Sequence, residues 1–156
     1  MSFMIRLKKQ RSLLIGNRMS TRIHEFILMC VARKIRERGY EIVAYQGDFK
    51  KISSMSFKLP MKIKRHRPDI IGLSKDESKI CIGEAKTAGD LFTKRTNEQF
   101  SDYSEVIKNP VSKAELIIGI PRSSENDLIS ILSNLTIREN PNVTYLCVPE
   151  ELFPNE

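Results

Sequence analysis

Cysteine is scarce in this chain of 156 residues, and the three present, Cys30, Cys81 and Cys147, are odd in number, far apart and each set in an apolar segment. That excludes a disulfide framework and a cysteine-bound zinc or iron–sulfur knuckle, and it suits buried free thiols. Long apolar runs are missing as well: stretches such as Ala114 to Ile120 fall far short of the roughly 20 residues of a membrane-spanning helix. Leu13-Leu14-Ile15 is too short an apolar region to serve as a secretory signal. Internal repeats and low-complexity tracts are absent. Residues 1 to 24 hold no acid and several arginines, a composition shared with organelle transit peptides. These absences lead us to expect a soluble protein of a reducing, intracellular compartment, the cytoplasm.

An apolar fraction of 40% over this length is enough for one domain with a sizeable core and no staples. The formal charge is +7, from 26 Lys plus Arg against 19 Asp plus Glu, and it is spread unevenly. Arg6, Lys8, Lys9, Arg11, Arg18 and Arg22 open the chain. A second basic stretch runs through Lys50, Lys51, Lys58, Lys62, Lys64, Arg65, His66 and Arg67, whereas from Glu125 onward six acids face Arg138 alone. One side of the molecule should be positive. Nucleic acid is the first partner such a field suggests and an anionic membrane surface the second, with a merely solvated basic face as the bland alternative. We expect a basic arm over residues 1–19, one domain over 20–150 and an acidic tail over 151–156.

Periodicity predicts a helix from Ser20 to Arg38, with Leu28, Val31, Ala32 and Ile35 on one face and Gly39 ending it. Strands are expected at Tyr40 to Tyr45, at Arg67 to Leu73, at Lys79 to Lys86, at Ala114 to Ile120 and at Val143 to Val148, while the less patterned stretch Gln46 to Pro60 holds one further candidate near Met55 to Leu59. Asp90 can cap a helix that runs to Lys108 before Pro110, and a further helix spans Ser124 to Leu135. The order α-β-β-β-α-β-α-β implies an α/β fold, a mixed central sheet flanked by helices.

Chemistry concentrates in the hairpin. Alternate strand residues share a face, so Glu84 and Lys86 stand in line with Ile80 and Ile82, and an apolar row ends in a carboxylate and an amine. Asp69 opens the neighbouring strand beside Glu84. Adjacent carboxylates repel unless a cation sits between them, and hard oxygens with open water positions suit Mg²⁺ or Mn²⁺; the Ala85 carbonyl is placed to be a third ligand. Glu25 lies in the same helical row as Leu28 and Ala32 and can point towards the sheet, although an acid near a helix start also serves the helix dipole. Without Asp69, Glu84 and Lys86 would read as an ordinary surface ion pair.

Pro68-Asp69, then Glu84-Ala85-Lys86 on the next strand, with Glu25 in the preceding helix, resemble the PD-(D/E)xK nuclease superfamily over about residues 20 to 120. The resemblance implies a restriction-endonuclease-like core and a metal-dependent DNA nuclease that hydrolyses phosphodiester bonds. Asp69 and Glu84 would bind metal, Glu25 would bind it directly or through water, and Lys86 would orient and help deprotonate the attacking water. Gln99 and Tyr103, four apart on one helix face with Arg95 a turn earlier, look like the Q-x-x-x-Y element of the RecB-like branch, which helps hold the nucleic-acid strand. An amphipathic helix packing Phe92, Phe100, Tyr103 and Ile107 on the sheet accounts for the same residues. CRISPR-associated relatives of that branch carry a cysteine-bound cluster, which three scattered cysteines cannot supply. Archaeal Holliday-junction resolvases share the size, charge and core motif and act as homodimers on branched DNA. A non-catalytic nucleic-acid-binding module on the same fold is the alternative outside enzymes. Lys62, Lys64, Arg65 and Arg95 are the expected strand contacts, Lys94 joins them as a phosphate grip, and His24 and His66 are expected to pack or face solvent.

Overall fold

The computed structural model describes residues 18–47 and 60–155. The expected strand near Met55 to Leu59, most of the basic arm, and Lys50, Lys51 and Lys58 lie outside the described residues. The chain runs α1 (Arg18–Glu37), β1 (Tyr40–Tyr45), β2 (Ile70–Ser74), β3 (Ile80–Ala85), α2 (Lys94–Lys108), β4 (Ala114–Pro121), α3 (Glu125–Asn134) and β5 (Val143–Val148). Five strands form one sheet in the order β1-β2-β3-β4-β5. The pairs from β1 to β3 are antiparallel and those from β3 to β5 parallel, so the α/β class and the mixed, helix-flanked sheet are as expected.

Alternation along the strands divides the core. Ile70, Cys81, Ala85 and Ile117 pack with Ile27, Leu28, Val31 and Ile35 of α1. Ile71, Ile82, Leu116, Ile118 and Ile120 pack with Phe100, Tyr103 and Ile107 of α2 and Leu128 and Leu132 of α3. Helix α1 thus covers one face and α2 and α3 the other. It sits close because the sheet beneath it has glycines: a Cβ on Gly119 would stand 2.5 Å from Val31 Cγ2, and one on Gly83 would stand 2.7 Å from Ile35 Cδ1. A side chain at Gly119 would force Val31 and Ile27 to move, and one at Gly83 would force Ile35 to repack.

Local chemistry sets the boundaries. Gly39 takes a φ of +91°, a region open to glycine, and its N–H closes on Arg36 O at 2.9 Å to end α1. Helix α2 starts later than Asp90: Thr93 is the cap, accepting from Thr96 N–H at 3.2 Å, while Asp90 accepts from Thr87 Oγ1 at 2.8 Å in the turn before it. That places Phe92 outside the helix and 72% exposed, so it does not pack with Phe100, Tyr103 and Ile107. Arg18 and Met19, at the end of the expected arm, already belong to α1, and in the tail Phe153 packs its ring edge-on against Phe26. All three cysteines are free thiols, Cys81 buried and Cys30 and Cys147 half-buried. Among the described residues no helix is long and apolar enough to cross a membrane.

Candidate functional site

The β2–β3 ladder ends at the pair Ile70–Gly83, and Pro68 has no N–H with which to extend it. One step further out, the two carboxylates take the backbone donors that the ladder leaves over. Asp69 N–H donates to Glu84 Oε2 at 3.2 Å, and Ala85 N–H donates to Asp69 Oδ2 at 3.0 Å. Asp69 is also pinned through its carbonyl, which accepts Gln46 N–H at 2.7 Å. In a strand the N–H and C=O of one residue point to the same side, so the Ala85 carbonyl faces the side on which Asp69 lies.

Glu84 and Lys86 project towards α2, in line with Ile82. There Lys86 Nζ lies 3.1 Å from Glu84 Oε1 and donates to Gln99 Oε1 at 2.5 Å. Gln99 Nε2 reaches Glu84 Oε1 at 3.4 Å and Tyr103 Oη donates to Glu84 Oε2 at 3.2 Å. Asp69, Glu84, Lys86 and Gln99 are all buried, and Tyr103 is fully so. Burial and the charge of Asp69 push the Glu84 carboxyl up to about 7 against the opposing pull of Lys86. Burial and the same two carboxylates raise the Tyr103 hydroxyl, which stays a proton donor.

From the other face, α1 brings His24, whose Nε2 lies 3.3 Å from Asp69 Oδ2. Burial works against its charge, but Asp69, Glu25 and Glu84 raise its pKa overall. Glu25 is half-buried beside the end of β1, where a Cβ on Gly47 would stand 3.1 Å from its Oε2. Against protein-family models, curated proteins and solved structures, the chain finds no match.

The structure therefore brings Asp69, Glu84, the Ala85 backbone, Lys86, Gln99 and Tyr103 together, and adds His24. Gln99 and Tyr103 turn their polar ends onto Glu84 and Lys86 rather than outward. Among the described residues no three His, Cys, Asp or Glu side chains stand together as a ready metal centre. Two carboxylates and one carbonyl are the donors on offer, a set that holds Mg²⁺ with much of its water retained. Burial first and the neighbouring charge of Asp69 second raise the Glu84 carboxyl, and two carboxylates this close fit a hard cation.

Within the described part of the basic stretch, Lys64, Arg65 and His66 are paired with acids of α2. The Arg65 guanidinium rests on Asp102, with Nη2 2.8 Å from Oδ1, and Lys64 pairs with Glu105. His66 lies between Asp102 and Glu98, at 2.9 and 3.5 Å. Lys62 and Arg95 are exposed, and Lys94, 91% exposed, reaches Glu98 only at 3.9 Å. Sequence reasoning gives no role at the site to His24 or Asp102. For His24 the one available signal is its place beside Glu25 at the start of α1, and for Asp102 it is an acid set between Gln99 and Tyr103.

Proposed function

We propose that this chain is a metal-dependent DNA nuclease of the PD-(D/E)xK kind on a restriction-endonuclease-like core, using Mg²⁺ or Mn²⁺ to hydrolyse phosphodiester bonds. The reading is carried by the buried meeting of Asp69, Glu84 and Lys86 where β2 begins and β3 ends. An ordinary surface ion pair would be exposed and would not be backed by a glutamine and a tyrosine. Asp69, Glu84 and the Ala85 carbonyl would hold the cation, with Glu25 of α1 supplementing directly or through water. When bound, the cation supplies a hydroxide near neutral pH and offsets charge on the transition state. Lys86, fixed by Gln99, orients the attacking water and takes part in its deprotonation. Tyr103 holds Glu84 in place. Exposed Lys62, Lys94 and Arg95 supply cations for the phosphate backbone.

Because Glu84 titrates near 7, a cation must displace its proton below that pH. Mg²⁺ or Mn²⁺ affinity, followed by calorimetry, should rise with pH up to about 7 and then level off. An affinity flat from pH 5 to pH 9 would remove Glu84 from the ligand set.

The direct test is incubation with labelled single-stranded, duplex, flap and four-way-junction DNA in Mg²⁺, Mn²⁺ or EDTA. Cleavage with metal and none in EDTA is expected. A marked preference for the four-way junction, from a homodimer, would specify junction resolution. Tight binding without cleavage of any of the four would overturn the nuclease reading in favour of a binding module.

A further inference from the structure

Asp102 is 3% exposed, yet it lies outside the group of residues that surrounds Glu84. Its carboxylate accepts Arg65 N–H at 3.2 Å, Arg65 Nη2 at 2.8 Å and Arg65 Nε at 3.3 Å, and it meets His66 Nδ1 at 2.9 Å. A planar guanidinium held in this forked way is fixed in orientation as well as attracted. The segment it holds is itself closed. Ile63 and His66 exchange backbone hydrogen bonds at 2.7 and 3.2 Å, Lys64 turns the chain at a φ of 55°, and Arg67 Nη1 donates to Pro60 O at 2.6 Å. Ile63 packs against the core on the α2 side.

This closed turn ends three residues before Asp69. Three residues span at most about 10 Å, Pro68 has a fixed φ, and the residue before a proline is itself restricted. The link between His66 and Asp69 is therefore stiff, and a displacement of the turn is passed on to Asp69 instead of being absorbed.

We propose that Asp102 is a positioning residue that acts through Arg65 and His66 to set the Asp69 carboxylate against the Ala85 N–H. One helix then sets both carboxylates: α2 holds Glu84 directly through Gln99 and Tyr103, and Asp69 at one remove through Asp102. Arg65, although its side chain is 57% exposed, in consequence spends its guanidinium on Asp102 and is not a phosphate contact. Asp102 suits the part, since Arg65 and His66 hold its carboxyl down at about 2 and it stays ionised across the neutral range.

The test uses the full chain and the variants Asp102→Asn, Arg65→Gln and the double variant, with Arg65→Lys as the conservative replacement. Amide hydrogen exchange is read at Ala85, which is bonded to Asp69, and at Ile82, which stays in the ladder. Ala85 should exchange roughly ten times faster in either single variant with Ile82 unchanged, the double variant should be no worse than the singles, and Arg65→Lys should recover part of the protection. Unchanged exchange at Ala85, or equal loosening of Ala85 and Ile82, would overturn the proposal.

Binding of single-stranded DNA in EDTA gives a second readout: the log–log salt slope should be the same in Arg65→Gln as in the unaltered chain. A slope lower by about 0.7 would make Arg65 a phosphate contact and overturn the proposal. A third readout rests on the nuclease reading: kcat should fall roughly 10- to 100-fold in Asp102→Asn with KM nearly constant, as for a small misplacement of a reacting group. The exchange experiment needs neither DNA nor metal. A protein that cleaves nothing but loosens at Ala85 would retain the clamp and lose the nuclease; one that cleaves normally in Asp102→Asn with Ala85 still protected would lose the clamp alone.

Discussion

Asp69→Asn and Glu84→Gln should each lower DNA cleavage by roughly three orders of magnitude or more, while DNA affinity stays close to that of the unaltered chain. The size follows from losing several kcal/mol of charge stabilisation once the cation is no longer held. Both replacements keep an oxygen in the right place. The side-chain amide oxygen in Asp69→Asn would still accept the Ala85 N–H, and the one in Glu84→Gln would still accept the Asp69 N–H, so the edge of the hairpin keeps its hydrogen bonds. The charge that leaves is buried, and exposed Lys62, Lys94 and Arg95 are left in place, so binding should be spared. Calorimetry with Mn²⁺ should show weak or no metal binding in both variants. Cleavage above a few per cent in both would sink the assignment of these carboxylates.

Lys86→Ala should lower the cleavage rate at saturating metal by roughly 10²–10⁴-fold, the range for losing a positioned proton-transfer group. Metal affinity should move the other way or hold, because an ammonium 3.1 Å from Glu84 Oε1 no longer competes with the cation. The measurement belongs well above pH 7. Lys86 is the group that opposes the upward push on Glu84, so its removal raises that carboxyl further and strengthens competition from protons at neutral pH. Equal cleavage rates in Lys86→Ala and the unaltered chain would leave Lys86 as an ion-pair partner of Glu84 on the same strand and nothing more.

The elements legible in the sequence are those with a strong local pattern. The strands at Tyr40–Tyr45 and Val143–Val148 fall where alternation and β-branched residues place them, and the hairpin with its Pro-Asp and E-x-K follows from period-two spacing alone. The start of α2 is easily misplaced because Asp90 and Thr93 are both good caps three residues apart. Only the folded turn, in which Asp90 is taken by Thr87, decides between them. The meeting of His24 with Asp69 joins positions 45 apart on different elements, and no spacing rule reaches that far. Charge counting treats Lys64 and Arg65 as free cations because it sums charges without pairing them. Their partners, Glu105 and Asp102, lie on a helix about 40 residues later.

The place of β4 in the sheet bears on when the site can exist during synthesis of the chain. All of its side chains lie between His24 and Tyr103, but the Lys86 N–H is bonded to Gly119 O at 2.9 Å, and α2 rests on Leu116, Ile118 and Ile120. The hairpin alone can pair Asp69 with the Ala85 N–H. It cannot seat Gln99 and Tyr103 over Glu84 until β4 has been added beside β3. A chain still leaving the ribosome with residues 114–121 inside the exit tunnel therefore carries the carboxylates without the helix that organises them, and any activity of this edge begins only after that strand emerges.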